Sequence, residues 1–440
     1  MRYISTSGQS ITDLRGALMH SIAPDGSLYL PEILPVIPKA YFNNIQEMNI
    51  KEIAYVVVST LLGADTDTVM LKQVVDEAFN FPMPVYPLMN NLDILELFHG
   101  PTMAFKDAGA RFVASFITKF HKANSRRPVG LVATTGNTGA AIANAFMRHK
   151  DKHVVILYPH GTMTRAQLAQ FTAQSPNIHP VEVGGTISQC KDMIRNAMAD
   201  QALAERMMPV CINTNNYLRI VPQVVFFFYA YAMLKNIHGN AEGFTVSIPC
   251  GCLSNLTAAV IAKRMGCPIG KIVAGCNAND DFVKLLNDEI TVSQMHENNR
   301  PTLARAMDSG IPTNTQRILR LYNDDIKAIN NDIMAISLSD REIADTINGV
   351  FARRGYLPDP HTAVALGALN RSGIDYGKTP AIVLATAHPA KSLDTMTSIT
   401  GRSVELPVQL THFMTDARTR QVPVKLPPTY PALKKFLFSI

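Results

Sequence analysis

Lys106 stands in the segment ELFHGPTMAFKDAGARF, residues 96–112, with Ala104 and Phe105 before it and Asp107, Ala108 and Gly109 after it. A lysine among small and apolar groups is desolvated, which lowers its pKa and turns the amine into a nucleophile able to form a Schiff base. The same residues admit a plainer reading, a surface lysine paired with Asp107. Three further segments concentrate small polar residues: TTGNTG (134–139), CGCLSN (250–255) and ATAHPAK (385–391). Where such segments open helices they attract anions, because free N–H groups and the helix dipole both point at the ligand. Cys250 and Cys252 flank a lone glycine. Zinc would need a second cysteine or histidine pair at ligand spacing, and none lies nearby, so no metal site is expected.

The elements that must position these residues follow from periodicity. From about Pro128 onward, short β-branched runs alternate with helix-period segments. The expected strands are 129–134, 153–158, 179–183, 208–213, 244–249, 271–276 and 380–386, and between them lie alanine-rich helical stretches such as AAIANAFMRH and LTAAVIAKRMG. Such alternation predicts an α/β protein with parallel sheets flanked by helices. In such sheets ligands bind outside the carboxyl ends of the strands, which is where the three polar segments fall. The first 90 or so residues are punctuated by proline (PEILPVIP, FPMPVYP), carry one expected helix near 50–62, and read as a cap. The expected division is an N-terminal cap domain (1–93), an α/β domain with Lys106 and TTGNTG (94–225), and a larger α/β domain with CGCLSN (226–440).

Composition narrows the classes. The 440 residues are 47% hydrophobic and 17% charged, as in globular proteins with a large interior. A net charge of +6 is scattered, and its one cluster, Lys122 to Arg127, has no interleaved aromatics, so a nucleic-acid partner is not expected. The longest apolar run, Ile220 to Leu234, contains Pro222 and Gln223 and is short for a membrane span. The opening MRYISTSGQS lacks an apolar signal core, and six scattered cysteines make no disulfide framework; a reducing cytoplasm is the expected compartment.

The lysine segment resembles the pyridoxal-phosphate lysine segment of threonine synthases. The resemblance continues through ATTGNTGAAIANAF (133–146), VVILYPHG (154–161), NTNNYLRI (213–220), IPCGCLSNLTAAVIAK (248–263), NANDDF (277–282), LARAMDSGIPTN (303–314), DPHTAVALGAL (359–369) and ATAHPAKS (385–392). YISTSGQSIT and DGSLYLP look like that family's opening. Order and spacing match over nearly the whole chain. The resemblance implies the tryptophan-synthase-like (fold type II) architecture, pyridoxal 5'-phosphate as cofactor, and a small phosphorylated amino acid as partner, with monomer and homodimer both open.

Site roles follow as implications of the same resemblance. Lys106 would carry the cofactor and shuttle protons. Cys250, Gly251, Cys252, Leu253 and Ser254 would cradle the cofactor phosphate, Asn137 would meet its phenolic oxygen, and Thr386 its ring nitrogen. Thr134, Thr135, Gly136 and Thr138 would hold the substrate carboxylate, and Asn314, Arg317 and Lys391 would lie near the substrate phosphate. His361, which opens a helix after a proline, reads as a packed or capping residue. Two departures stand out. Family members read like S-G-N-F-G where this chain has C-G-C-L-S, and usually carry aspartate at the Asn137 position. The implied reaction converts O-phospho-L-homoserine and water to L-threonine and phosphate. The departures motivate an alternative, a diverged lyase that gives 2-oxobutyrate or acts on a phosphonate or other γ-substituted amino acid. A non-catalytic binding protein is a third class, against which retention of Lys106 argues.

Overall fold

The computed structural model describes the chain apart from residues 121–125, 164, 173–174, 297–299 and 416–420. Residues 122–125 of the basic cluster therefore lie outside the described residues. Three sheets organise the molecule. The smallest is antiparallel, in the order β2-β1-β3, from β1 (Tyr3–Ser5), β2 (Ile11–Thr12) and β3 (Tyr29–Pro31). It belongs to the cap, together with the helices Leu14–His20, Ile50–Leu62 and Thr68–Ala78. The helix expected near 50–62 forms because Asn49 and Glu52 close a capping box ahead of an apolar stripe that buries Ile53, Val57, Val58 and Leu61.

A five-stranded parallel sheet has the order β14-β8-β7-β6-β9, from β6 (Pro128–Ala133), β7 (His153–Pro159), β8 (Ile178–Val183), β9 (Met208–Cys211) and β14 (Val424–Leu426). A six-stranded sheet has the order β12-β11-β10-β13-β5-β4, from β4 (Val85–Met89), β5 (Leu92–Glu96), β10 (Phe244–Pro249), β11 (Ile269–Cys276), β12 (Ile333–Ser337) and β13 (Ala381–Ala385). It is parallel except for the edge strand β4, which runs antiparallel to β5. Every residue of β6 and β13 is buried, as expected of central strands covered on both faces by helices.

Sheet membership departs from the contiguous division of the sequence in two places. The β4–β5 hairpin, which straddles residue 93, joins the large sheet through β5 and β13. Near the other terminus, β14 crosses back to pair with β8, and the helix Tyr430–Leu437 packs on the helix Ile187–Ala199 behind it. Strands pair by matching free edges, and a strand distant in sequence can supply one.

The helix Val221–His238 is long and apolar enough, at a mean hydropathy of 1.4, to pass for a membrane span by composition. Its window is 89% buried inside the protein. It packs on the helices Ile50–Leu62 and Ser254–Arg264, with Phe226, Phe227 and Phe228 all fully enclosed. An all-round apolar helix is what the centre of a large core requires.

Candidate active site

The ends of two neighbouring strands, β5 and β13, hold the segment that leads into Lys106. The backbone N–H of Leu97 donates to Ala385 O (3.0 Å), that of Phe105 donates to Thr386 O (2.9 Å), and Ala104 pairs with Ala387. The segment entering Lys106 is thus clamped to the end of β13. Lys106 begins the helix Lys106–Phe120, and its ammonium lies 4.6 Å from the centre of the Phe105 ring. Burial holds the lysine below its ordinary pKa; the Cys252 thiol opposes the shift and the Arg219 guanidinium adds to it. Asp107 does not pair with it. That carboxylate accepts from the Thr102 N–H (2.9 Å) and Thr102 Oγ1 (2.6 Å), and burial raises its pKa.

One cavity runs from Lys106 to the start of the helix Ser254–Arg264 and is lined also by Asn137, Cys250, Gly251, Cys252, Leu253 and Ser254, with Thr386 and His361 at its side. The helix has no side-chain cap: its N-cap, Leu253, sits in the left-handed region at φ +59. The first turn therefore presents backbone N–H groups to the cavity, which is the arrangement that seats an anion. Gly251 is required by close approach, since a Cβ there would lie 2.7 Å from Met307 Cα. The amide of Asn255, just inside the helix, is buried with neither of its polar atoms partnered, and Asn137 Oδ1 is likewise unpartnered.

A second cavity opens on the other side of Lys106 and shares Asn137, Cys252 and Ala306 with the first. Thr134, Thr135, Gly136 and Thr138 line it, together with Asn213, Thr214 and Arg219. Arg219 is 3% exposed, and its Nε and Nη1 have no hydrogen-bond partner among the described residues. Burial lowers its pKa to about 10, which leaves it cationic at neutral pH. Asp107 and Cys252 act on it from nearby, and its two unfilled donors suit a negatively charged ligand. The sequence reading quoted NTNNYLRI and passed over Arg219. Its signal was available: an arginine at the head of a long apolar helix.

The remaining expected residues are placed differently. Arg317 is completely buried and its guanidinium is occupied by the chain itself, donating to Tyr29 O (3.1 Å), Thr214 O (2.6 Å), Asn215 O (2.6 Å) and Asn314 Oδ1 (2.6 Å). It staples the cap to the loop ahead of Arg219 instead of facing a ligand. Asn314 donates through Nδ2 to Cys252 O (2.9 Å) and Thr214 Oγ1 (3.3 Å), so it fixes the CGCLS loop from behind. Lys391 donates to Thr102 O (2.7 Å) and to Gln170 Oε1, and lines a neighbouring cavity; burial brings its pKa to about 8 while Asp107 pulls it up. The Thr134 hydroxyl accepts from the N–H groups of Gly136 (3.0 Å) and Gly139 (3.1 Å), shaping its own loop. His361 is buried, bonded to the helix-capping Asp359, and accepts from the Ala306 N–H (3.2 Å).

A half-buried lysine between an anion-ready helix start and a parallel-sheet cleft is the site of a pyridoxal-phosphate dependent enzyme, and the model of that family matches residues 95–386. Models described as threonine synthase N terminus and threonine synthase, C-terminal match residues 2–79 and 362–436. The chain belongs to the threonine synthase family. It is 32% identical over 432 residues to the threonine synthase of Serratia marcescens, and 30% identical over 426 residues to that of Escherichia coli, with 96% of each chain covered in both cases. The crystal structure of the Escherichia coli threonine synthase matches with a TM-score of 0.89 at 28% identity over 100% of both chains. A pyridoxal-phosphate-bound threonine synthase from Brucella melitensis matches with a TM-score of 0.89 at 26% identity, covering 99% of this chain and 98% of that one.

The residues present fit that cofactor. The uncapped helix start suits its phosphate, the close approach of Gly251 leaves the loop backbone open to it, and the orphaned Asn137 and Asn255 amides offer polar partners where a polar ring would lie.

Proposed function

We propose that the protein converts O-phospho-L-homoserine and water to L-threonine and phosphate, with pyridoxal phosphate bound at Lys106. One observation carries the reading: two anion seats flank Lys106, the uncapped helix start at Ser254 on one side and Arg219, unpartnered at Nε and Nη1 among the described residues, on the other. Two phosphates, one on the cofactor and one on the substrate, match two seats.

When bound, the cofactor draws electrons from the carbon bearing the substrate's amine, which acidifies protons that water alone could not remove. The chain's own residues supply the rest. The N–H groups of the Cys250–Ser254 loop, held from behind by Asn314, fix the cofactor phosphate, and a loop that depends on backbone donors keeps them through changes of side chain. Thr386 and Asn137, which line the same cavity, would hold the cofactor ring by hydrogen bonds. Thr135, Gly136 and Thr138 offer hydroxyl and N–H groups to the substrate carboxylate. Arg219 holds the substrate phosphate and, because it is already desolvated, neutralises the leaving group strongly. Lys106 Nζ, its pKa lowered by burial, is the amine that attaches the cofactor and, once displaced by the substrate, accepts and returns protons.

Incubation with O-phospho-L-homoserine should release threonine and inorganic phosphate in equal amounts. Phosphate accompanied by a keto acid and no threonine would overturn this reading in favour of a diverged lyase. All six cysteines are free, which suits a reducing compartment, and we place the enzyme in the cytoplasm.

A further inference from the structure

Five of the six cysteines are buried, while Cys252 is only partly so and lines both cavities at Lys106. Its thiol accepts from Thr214 Oγ1 (3.7 Å) and lies 3.5 Å from Ser254 Oγ. Its carbonyl is pinned by Asn314, so the side chain is presented on a fixed backbone. The second cavity is lined also by Arg219, a cation nine-tenths buried and more, whose Nε and Nη1 have no hydrogen-bond partner among the described residues. The proposed reaction uses Arg219 but gives the sulfur no chemical step.

We propose that Cys252 is a covalent modification site for small anionic electrophiles, which Arg219 seats beside the sulfur. The geometry supplies both requirements of such a site: a nucleophile open to a cavity, and a fixed positive group that raises the local concentration of an anion and holds it. The electrostatics agree. Burial would push the Cys252 thiol up, but the Lys106 charge and the hydrogen bonds with Ser254 and Thr214 outweigh it and bring the thiol below its ordinary value. With iodoacetate as the probe, the thiol gives its proton to solvent, the sulfur bonds to the methylene carbon, and iodide leaves with the electrons of the carbon–iodine bond. No oxidant is involved. The adduct occupies the space between Lys106 and Arg219.

The test treats the cofactor-loaded full chain with iodoacetate or with neutral iodoacetamide and reads each cysteine by peptide mass mapping, so it needs no turnover. Cys252 should react at least about ten-fold faster than every other cysteine, with iodoacetate faster than iodoacetamide. Inorganic phosphate should slow iodoacetate and leave iodoacetamide nearly unchanged. Arg219→Gln should reverse the preference between the two reagents, and Arg219→Lys should restore it; thermal unfolding monitors the fold of both. Labelling spread over the six cysteines, or a reagent preference indifferent to phosphate in the unaltered chain, would overturn the proposal. The labelling reads the thiol and its cation, so it stands or falls apart from the identity of the product formed from O-phospho-L-homoserine.

Discussion

The loops Pro249–Ser254 and Thr134–Thr138 face Lys106 from two different sheets, the first through backbone N–H groups and the second through hydroxyls, an amide and the neighbouring Arg219. In the first, Cys250, Cys252, Leu253 and Ser254 stand where the family resemblance implies S, N, F and G, yet the turn forms around Gly251 and the helix start. In the second, most of the polar groups lining the cavity are side chains, and Nε and Nη1 of Arg219 and Oδ1 of Asn137 have no partner among the described residues. The difference teaches that a backbone cradle tolerates substitution wherever no Cβ collides, whereas a side-chain cradle fails at the atom removed.

The comparison can be broken most severely at the residue both loops share. Lys106→Ala should lower the turnover of O-phospho-L-homoserine by about 10³-fold or more and abolish the visible absorption of the bound cofactor after dialysis. On the side-chain cradle, Arg219→Gln should raise KM by about 10²-fold while the cofactor stays bound, read by steady-state kinetics beside a cofactor titration. On the backbone cradle, Gly251→Ala should do the converse. Its Cβ meets the Met307 backbone, so cofactor affinity falls about ten-fold, with little change in KM once the enzyme is saturated with cofactor. Ser254→Ala should sharpen the contrast, weakening the cofactor only about two- to three-fold, because the N–H donors remain. A large loss there would show that the hydroxyl, not the backbone, does the holding.

The smallest effect lies at the opposite ends of the strands. His179 on β8 shares a hydrogen bond with His153 on β7 (2.9 Å between Nε2 and Nδ1); the two rings stack on each other, and Phe436 of the C-terminal helix meets His179 edge-on. Burial, the His153 ring and Arg127 hold His179 at about 4, below the ordinary 6.5. The unfolded chain therefore binds the proton first. Stability from this pair is full above pH 6.5, declines as pH falls toward 4, and changes no further below that. Urea midpoints should fall between pH 7 and pH 5, and His179→Phe should flatten the slope. The catalytic end of the sheet should be unaffected at constant pH.

The strands from β6 to β11 and β13, the helix at 50–62, and the lysine segment were legible in the sequence because each is a local pattern: an apolar run, a capping box, a basic group in apolar company. Strands β4 and β14 were not, since Tyr86 and Pro87 in the one and Lys425 in the other interrupt any apolar alternation; both are edge strands, and the partner of β14 lies far back along the chain. Arg317 was an expected ligand and Arg219 was not, because local sequence does not show which oxygens each guanidinium will meet. Both are arginines beside helices. Tertiary packing brings four carbonyl or amide oxygens to Arg317 and leaves Nε and Nη1 of Arg219 without any, so that one arginine serves the fold and the other is left for a ligand. The sequence by itself determined the α/β class, the lysine and the loop glycine, because local polarity and steric demand decide these. Which cation faces the cavity was decided only by the tertiary structure, because hydrogen-bond satisfaction depends on oxygens drawn from residues hundreds of positions apart, and no local pattern records them.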